Sequence, residues 1–395
     1  MTTTRPVRLH PLVFLDEGED VTIGRRDIDS YVVFPADGAR AVERLAAGSS
    51  PDEVGAWYAA AYGVELDVAD LMATLAELDF VVAGCEPVAL PALVRWQRLG
   101  RAVFSPLGWA VMAGLVALAG LVMASDRHYR PHVRHLFFTD SLLAMDLALF
   151  AATIPLIIVH ESFHVLAGRR LGLNSSLSLG WRAWFLVVET HLDGLVSVPR
   201  RSRYLPMLAG MVADTVMIAA LTLGAYAADR AGAPQLVGAV GLAAAFGGVL
   251  RLVWQLLVFM RTDVYYLIAT VFQTVDVHAV ARARLADDVR RLLRLDPRHD
   301  PTRWHPRDLA VSAWYRWVLL GGFALMASMT AWALIPALVR VTRMAAARFA
   351  DPSASWWLAA DAALFIVLNL AQFVIPTVLG ARRWWRVRHS QGARS

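Results

Sequence analysis

The chain has 395 residues, of which 57% are apolar, with a mean hydropathy of +0.48 and a formal charge of +5. This is too apolar for an ordinary soluble protein of its size, and several runs reach the roughly 20 apolar residues that a helix needs to cross a hydrocarbon core of about 30 Å. All 38 basic residues are arginine, but no basic stripe interleaved with aromatics occurs, so no nucleic-acid partner is expected.

The first residues, MTTTRPVRLHPLVFLDEG, lack an apolar core of signal-peptide length, so no cleaved signal is expected. Residues 1–84 read as a small soluble domain. Val7–Leu15 and Tyr31–Phe34 are short β-prone runs. Ser50-Pro51-Asp52-Glu53 is a capping box with proline at the first helical position, and Gly63 can close that helix. Asp67 caps the next helix, whose Leu71, Leu75 and Leu78 share a face. Phe80–Val82 reads as a returning strand. Short strands, about three helices and a last strand predict an α+β, winged-helix-like arrangement.

Residues 85–101 read as a linker, with Pro87 and Pro91 ahead of Arg95, Arg98 and Arg101. The single cysteine, Cys85, rules out an intrachain disulfide. Residues 102–395 read as a membrane domain with spans near 103–123, 141–168, 204–227, 236–258, 312–338 and 356–380. A shorter apolar piece at 264–275 re-enters the membrane or docks on the bundle. The fold class expected is mainly α: a polytopic helical membrane protein of about six spans, with a small N-terminal domain.

Arginine counts give the orientation. With the N-terminus cytoplasmic, inside segments hold 24 arginines and outside loops 7. This predicts a multi-pass protein of the cell membrane with both termini cytoplasmic. Between the second and third spans, Leu177, Leu179, Trp181 and Ala183 alternate with polar or small residues, a strand pattern. An open strand edge cannot face lipid, so a membrane-associated β-hairpin is expected. It is either a structural flap or an edge that receives an extended peptide.

His160-Glu161-Ser162-Phe163-His164 is an HExxH motif. Histidines at i and i+4 lie on one helix face and can reach one tetrahedral zinc, and the intervening glutamate stands beside them as a general base. A metal there lowers the pKa of a water molecule to about 7. The motif ends the apolar run Leu147–Val159, where ionisable groups are costly and functional by default. Three carboxylates are candidates for a third ligand. Asp263, at the cytoplasmic end of the fourth span, is favoured because topology puts it level with the histidines. Asp214 lies deep in the third span, as an alternative ligand or as a carboxylate behind a ligand, paired with Arg251. Asp193 lies in the polar hairpin segment. His128, His132 and His135 crowd the first outside loop, read as a solvated interface. Trp96, Trp109, Trp356, Trp357, Trp384 and Trp385 read as interface anchors. Arg282–Arg294 reads as an amphipathic surface helix.

These residues resemble the site-2 protease family of intramembrane zinc metalloproteases, and most closely its peptide zinc metalloprotease branch. HESFH resembles the zinc-binding helix, and Leu208–Asp214 the small-residue helix that follows it. Phe259–Leu267, FMRTDVYYL, resembles the branch's LLRLDGYYL segment. The N-terminal domain resembles PqqD-like domains that recognise leader peptides. The resemblance implies zinc held by His160, His164 and Asp263, with Glu161 as the catalytic base. It also implies hydrolysis of a peptide bond in a membrane-associated protein or in a ribosomally made precursor peptide delivered through the N-terminal domain. Two departures stand out. The family's Asp-Gly is Asp263-Val264 here, and its upstream Asn and Pro are replaced, with Gln255 the nearest polar stand-in for substrate binding. They favour the alternative of a catalytically inactive membrane peptide-binding or scaffold protein of a peptide-modification system. A transporter is disfavoured, because no internal repeat is present.

Overall fold

A computed structural model of the chain describes residues 7–16, 20–82, 94–182, 185–336 and 360–371, with scattered positions between 339 and 378. Cys85, Pro87, Pro91, Trp384, Trp385 and the arginines of the C-terminal tail lie outside the described residues. The chain begins with strands β1 (Val13–Asp16), β2 (Asp20–Arg25) and β3 (Ser30–Pro35), antiparallel and paired in that order. Helices α1 (Ala36–Ala46), α2 (Pro51–Tyr62) and α3 (Val68–Glu77) follow. Next come α4 (Gln97–Val103), α5 (Pro106–Ser125), α6 (Leu142–Arg170) and the hairpin of β4 (Ser175–Arg182) and β5 (Phe185–Leu192). The remaining helices are α7 (Arg200–Arg230), α8 (Gln235–Gln255), α9 (Asp263–Phe272), α10 (Val277–Leu292), α11 (Pro306–Met329) and α12 (Ala360–Ala371).

The fold is therefore mainly helical, and α5, α6, α7, α8 and α11 are long and apolar enough to cross a membrane. The fifth span begins at Pro306 rather than near 312, because His305 caps it and proline is preorganised for a first helical turn. Of the last expected span, the described residues contain only the shorter apolar helix α12. The piece expected at 264–275 is α9. It ends at Gln273, a left-handed residue with φ of 55°, and α10 then leaves at 91°. Asp308 holds the bend by accepting from the backbone N–H groups of Val275 (2.9 Å) and Asp276 (3.3 Å).

The chain folds as two compact units. The first comprises Met1–Ala102, Val165–Ser176 and His191–Pro206. Its core gathers Ile23, Val42, Leu45, Val54, Leu75 and Phe80 between the sheet and α1 to α3. The capping box forms as expected: Ser50 Oγ accepts from Glu53 N–H (3.3 Å) and Glu53 Oε2 accepts from Ser50 N–H (2.8 Å). The last strand is a single bridge, Leu9 to Val81. Residues 97–101 of the expected linker are helical, in α4. The turn between β2 and β3 grips the loop that follows β5. Asp29 Oδ1 accepts from Gly194 N–H (2.7 Å), and Arg26 Nε donates to Ser197 Oγ (2.9 Å).

The second unit comprises Val103–His164, Leu177–Thr190 and Met207–Ser395. In it Asp361 caps α6 by accepting from Leu142 N–H (3.0 Å), Leu143 N–H (3.2 Å) and Ser141 Oγ. Further along, Asn369 Nδ2 donates to Asp146 (3.3 Å). The two contacts advance in the same direction on both helices, so α12 runs parallel to α6. Phe259, Met260, Tyr265, Val277, Val311, Tyr315 and Leu319 form a buried cluster that packs α9 to α11 together and fixes the start of α9.

Candidate metal centre

Two helices, α6 and α9, supply the three donors of the centre. His160 and His164 lie one turn apart on α6, and both are buried. Their Nε2 atoms are 3.2 Å apart. Asp263, the first residue of α9, places Oδ2 3.3 Å from His160 Nε2 and 3.2 Å from His164 Nε2. The three atoms form a nearly equilateral triangle. Donors at about 2.0–2.1 Å from a tetrahedral zinc are separated by about 3.3–3.4 Å, so the triangle has the size of three corners of such a site. Asp263 Oδ2 is buried and has no hydrogen-bond partner. His160 Nδ1 lies 3.0 Å from Asp214 Oδ2, and with its ring proton committed there a neutral His160 turns a lone pair toward Asp263. Two imidazole nitrogens and a carboxylate oxygen that converge in this way could hold a metal ion. Among the described residues this is the one group of three or more His, Cys, Asp or Glu that could hold a metal ion.

The backbone explains why the triangle can form. Gly210 of α7 faces the imidazoles, and a Cβ there would overlap Nε2 of both His160 and His164. One turn later α7 presents Asp214, which has no exposed surface and pairs with Arg251 of α8. Asp263 is placed by the end of α8. Gln255 Oε1 accepts from Asp263 N–H (3.0 Å), and the Gln255 carbonyl accepts from Thr262 Oγ1 (2.7 Å). A carboxylate at a helix N-terminus is also favoured by the helix dipole.

Of the residues singled out in the sequence, His160, His164 and Asp263 come together. Asp214 stands behind His160. Gln255 uses its amide oxygen on the backbone of Asp263. Asp193 belongs to the first unit, where its N–H donates to Asn174 (3.1 Å) and burial pushes its carboxyl pKa up. Glu161 is half-buried, and Thr190 Oγ1 of β5 donates to its Oε2 at 2.6 Å. Neither Thr190 nor the role of Gly210 was marked by sequence reasoning. The one available signal was the i, i+4 spacing of Gly210 and Asp214 on an apolar helix. In the loop between α5 and α6, His132 and His135 accept backbone N–H groups at Nδ1. That leaves their ring protons on Nε2 when neutral, an arrangement suited to loop structure rather than shared metal.

Comparison with family models, with curated proteins and with solved structures gave no match.

Proposed function

We propose that the protein is an intramembrane zinc-dependent endopeptidase acting on a membrane-associated protein or a precursor peptide. The observation that carries this reading is the buried triangle of His160 Nε2, His164 Nε2 and Asp263 Oδ2, with Glu161 next to the first histidine on the same helix. Two imidazoles and one carboxylate form the donor set of a catalytic rather than a closed structural zinc site, because one tetrahedral position remains for a reactant. When bound, the metal supplies Lewis acidity, polarising the scissile carbonyl and acidifying a water molecule.

The chain's own residues supply the rest. Glu161 takes a proton from the attacking water on its carboxylate and delivers it to the leaving amine. Thr190 Oγ1 steadies that carboxylate by donating to Oε2. Asp214 orients His160 through Nδ1, and Gln255 holds the backbone of Asp263. The resemblance of HESFH and FMRTDVYYL to site-2 proteases agrees with this assignment. So does an N-terminal domain of three strands and three helices as a place for a leader peptide. The 24-to-7 arginine bias and the parallel course of α6 and α12 favour cytoplasmic placement of both termini in the cell membrane.

The second reading, a membrane peptide-binding or scaffold protein without catalysis, is favoured by Val264 and the missing upstream Asn and Pro. One experiment separates the two. Purified protein in detergent is offered a peptide library, with and without chelator, beside the Glu161→Gln variant. The enzyme reading expects chelator-sensitive cleavage by wild type, and no cleavage by a variant that still binds metal. Cleavage by Glu161→Gln at the wild-type rate would refute the assigned mechanism. Binding without cleavage would support the scaffold.

A further inference from the structure

Arg251 lies near the C-terminal end of α8, an apolar helix long enough to cross a membrane, where a guanidinium is costly and needs a reason. Its side chain is 20% exposed, and the aspartate it meets, Asp214, is fully buried. Arg251 Nη2 donates to Asp214 Oδ1 and lies 3.3 Å from the Leu156 carbonyl of α6, one turn ahead of His160. The other Asp214 oxygen, Oδ2, receives His160 Nδ1 at 3.0 Å. The contacts run in one line from α8 through α7 to the ligand histidine on α6.

We propose that Arg251 is a positioning residue for the metal centre. By occupying Asp214 Oδ1 it aims Oδ2 at His160 Nδ1, and so turns His160 Nε2 toward Asp263 and His164. This rests on the reading of His160, His164 and Asp263 as metal ligands. Three features support a role beyond helix packing. Each carboxylate oxygen of Asp214 has a different partner, and one of them is a ligand histidine. An ionised carboxylate is acceptor-only, so the ring proton is set on Nδ1 and the Nε2 lone pair is left for the metal. The guanidinium also donates to the Leu156 carbonyl, one turn ahead of the ligand, so it fixes ring and helix together. Groups behind a metal-bound histidine typically change metal affinity by about 10–100-fold.

The test uses the full chain purified in detergent, stripped and reloaded with zinc or with cobalt(II). Zinc affinity is read by competition with a chelator, and ligand geometry by the visible spectrum of the cobalt form. Arg251→Leu is expected to lower zinc affinity by about 10–100-fold and to shift the cobalt bands, with Arg251→Lys intermediate. The double variant Arg251→Leu/Asp214→Asn has no unpaired buried charge. It is expected to fold as wild type yet keep the weakened affinity and the shifted bands; because it also removes the Asp214 carboxylate, Arg251→Lys carries the test if Arg251→Leu does not fold. Wild-type affinity and spectrum in a folded Arg251→Leu or in the double variant, or in Arg251→Lys where Arg251→Leu does not fold, would overturn the proposal. A wild type that binds neither metal, or a His160→Ala variant that binds both unchanged, would instead overturn the reading of the centre on which it rests.

Discussion

Replacing Gly210 by alanine tests how closely α7 approaches the imidazoles. Helix propensity alone predicts that Gly→Ala in a helix interior stabilises by about 1 kcal/mol. The local geometry predicts the opposite sign. The added methyl would overlap Nε2 of both His160 and His164, and also Cε1 of His160. Restoring ordinary carbon contact at about 3.5–4.0 Å requires α7 and the rings to part by on the order of 1 Å. His160 has little freedom to yield, because Asp214 on the same face of α7 holds its Nδ1. Overpacking of this kind typically costs about 1–3 kcal/mol. A misplacement of about 1 Å at a reacting centre can cost on the order of 100-fold in rate. The expected result is a protein of unchanged helix content, with weakened metal binding and peptide cleavage reduced about 100-fold. Gly224→Ala in the same helix is the control, since a Cβ there meets nothing within 4 Å. The assays are chelator competition, thermal unfolding in detergent and cleavage rate. Wild-type metal affinity together with raised stability in Gly210→Ala would refute the reasoning.

Two further outcomes follow from single contacts. Thr190→Val removes the hydroxyl that donates to Glu161 Oε2 at 2.6 Å. Hydrogen bonds to charged groups contribute about 1.5–3 kcal/mol, so kcat should fall roughly 10-fold or more while metal content stays at the wild-type level. An unchanged kcat would remove Thr190 from the site. In the N-terminal domain Tyr58 Oη donates to Asp37 Oδ2 at 2.5 Å, which pushes the Tyr58 pKa up to about 12 and holds that of Asp37 down. The raised Tyr58 value means a contribution to stability that is present below its unfolded pKa of about 10 and lost as pH rises toward 12. The depressed Asp37 value means a contribution present above about pH 4 and lost on acidification below it. Tyr58→Phe should flatten both arms of a pH–stability curve for this domain, followed by hydrogen exchange of α1 and α2 in the full chain. Arms identical to wild type would dismiss the contact as unimportant.

Much of the architecture was legible because its signals are local. The helix of Pro51–Tyr62 carries its start in Ser50, Pro51 and Glu53 and its stop in Gly63. The long spans carry theirs in apolar runs. By contrast α1 starts at Ala36 after Pro35, which offers no side-chain cap, so its start lacks the local signal that Ser50 gives α2. Strand β2 was missed as well, because Asp20–Arg25 owes its place to pairing on both sides. The break between α9 and α10 depends on Gln273 taking a left-handed backbone and on Asp308, far along the chain, holding the bend.

The site divides in the same way. His160 and His164 are legible because helical spacing alone puts them on one face. Asp263 needed topology and a family likeness, since about a hundred residues separate it from the histidines. Thr190 reaches Glu161 only through tertiary folding of the hairpin, and no spacing rule predicts that. The Asp214–Arg251 pair was visible as two costly charges in apolar helices. Its orientation toward His160 is visible only once α6, α7 and α8 are packed.

The central claim, that His160, His164 and Asp263 hold one metal ion, is tested most directly by the zinc content of the purified full chain. Wild type, His164→Ala and Asp263→Ala would be reloaded in parallel and dialysed before elemental analysis. The proposed function predicts close to one zinc per wild-type chain and loss of bound zinc from both variants. Stoichiometric zinc in Asp263→Ala, or none in the wild type, would contradict it.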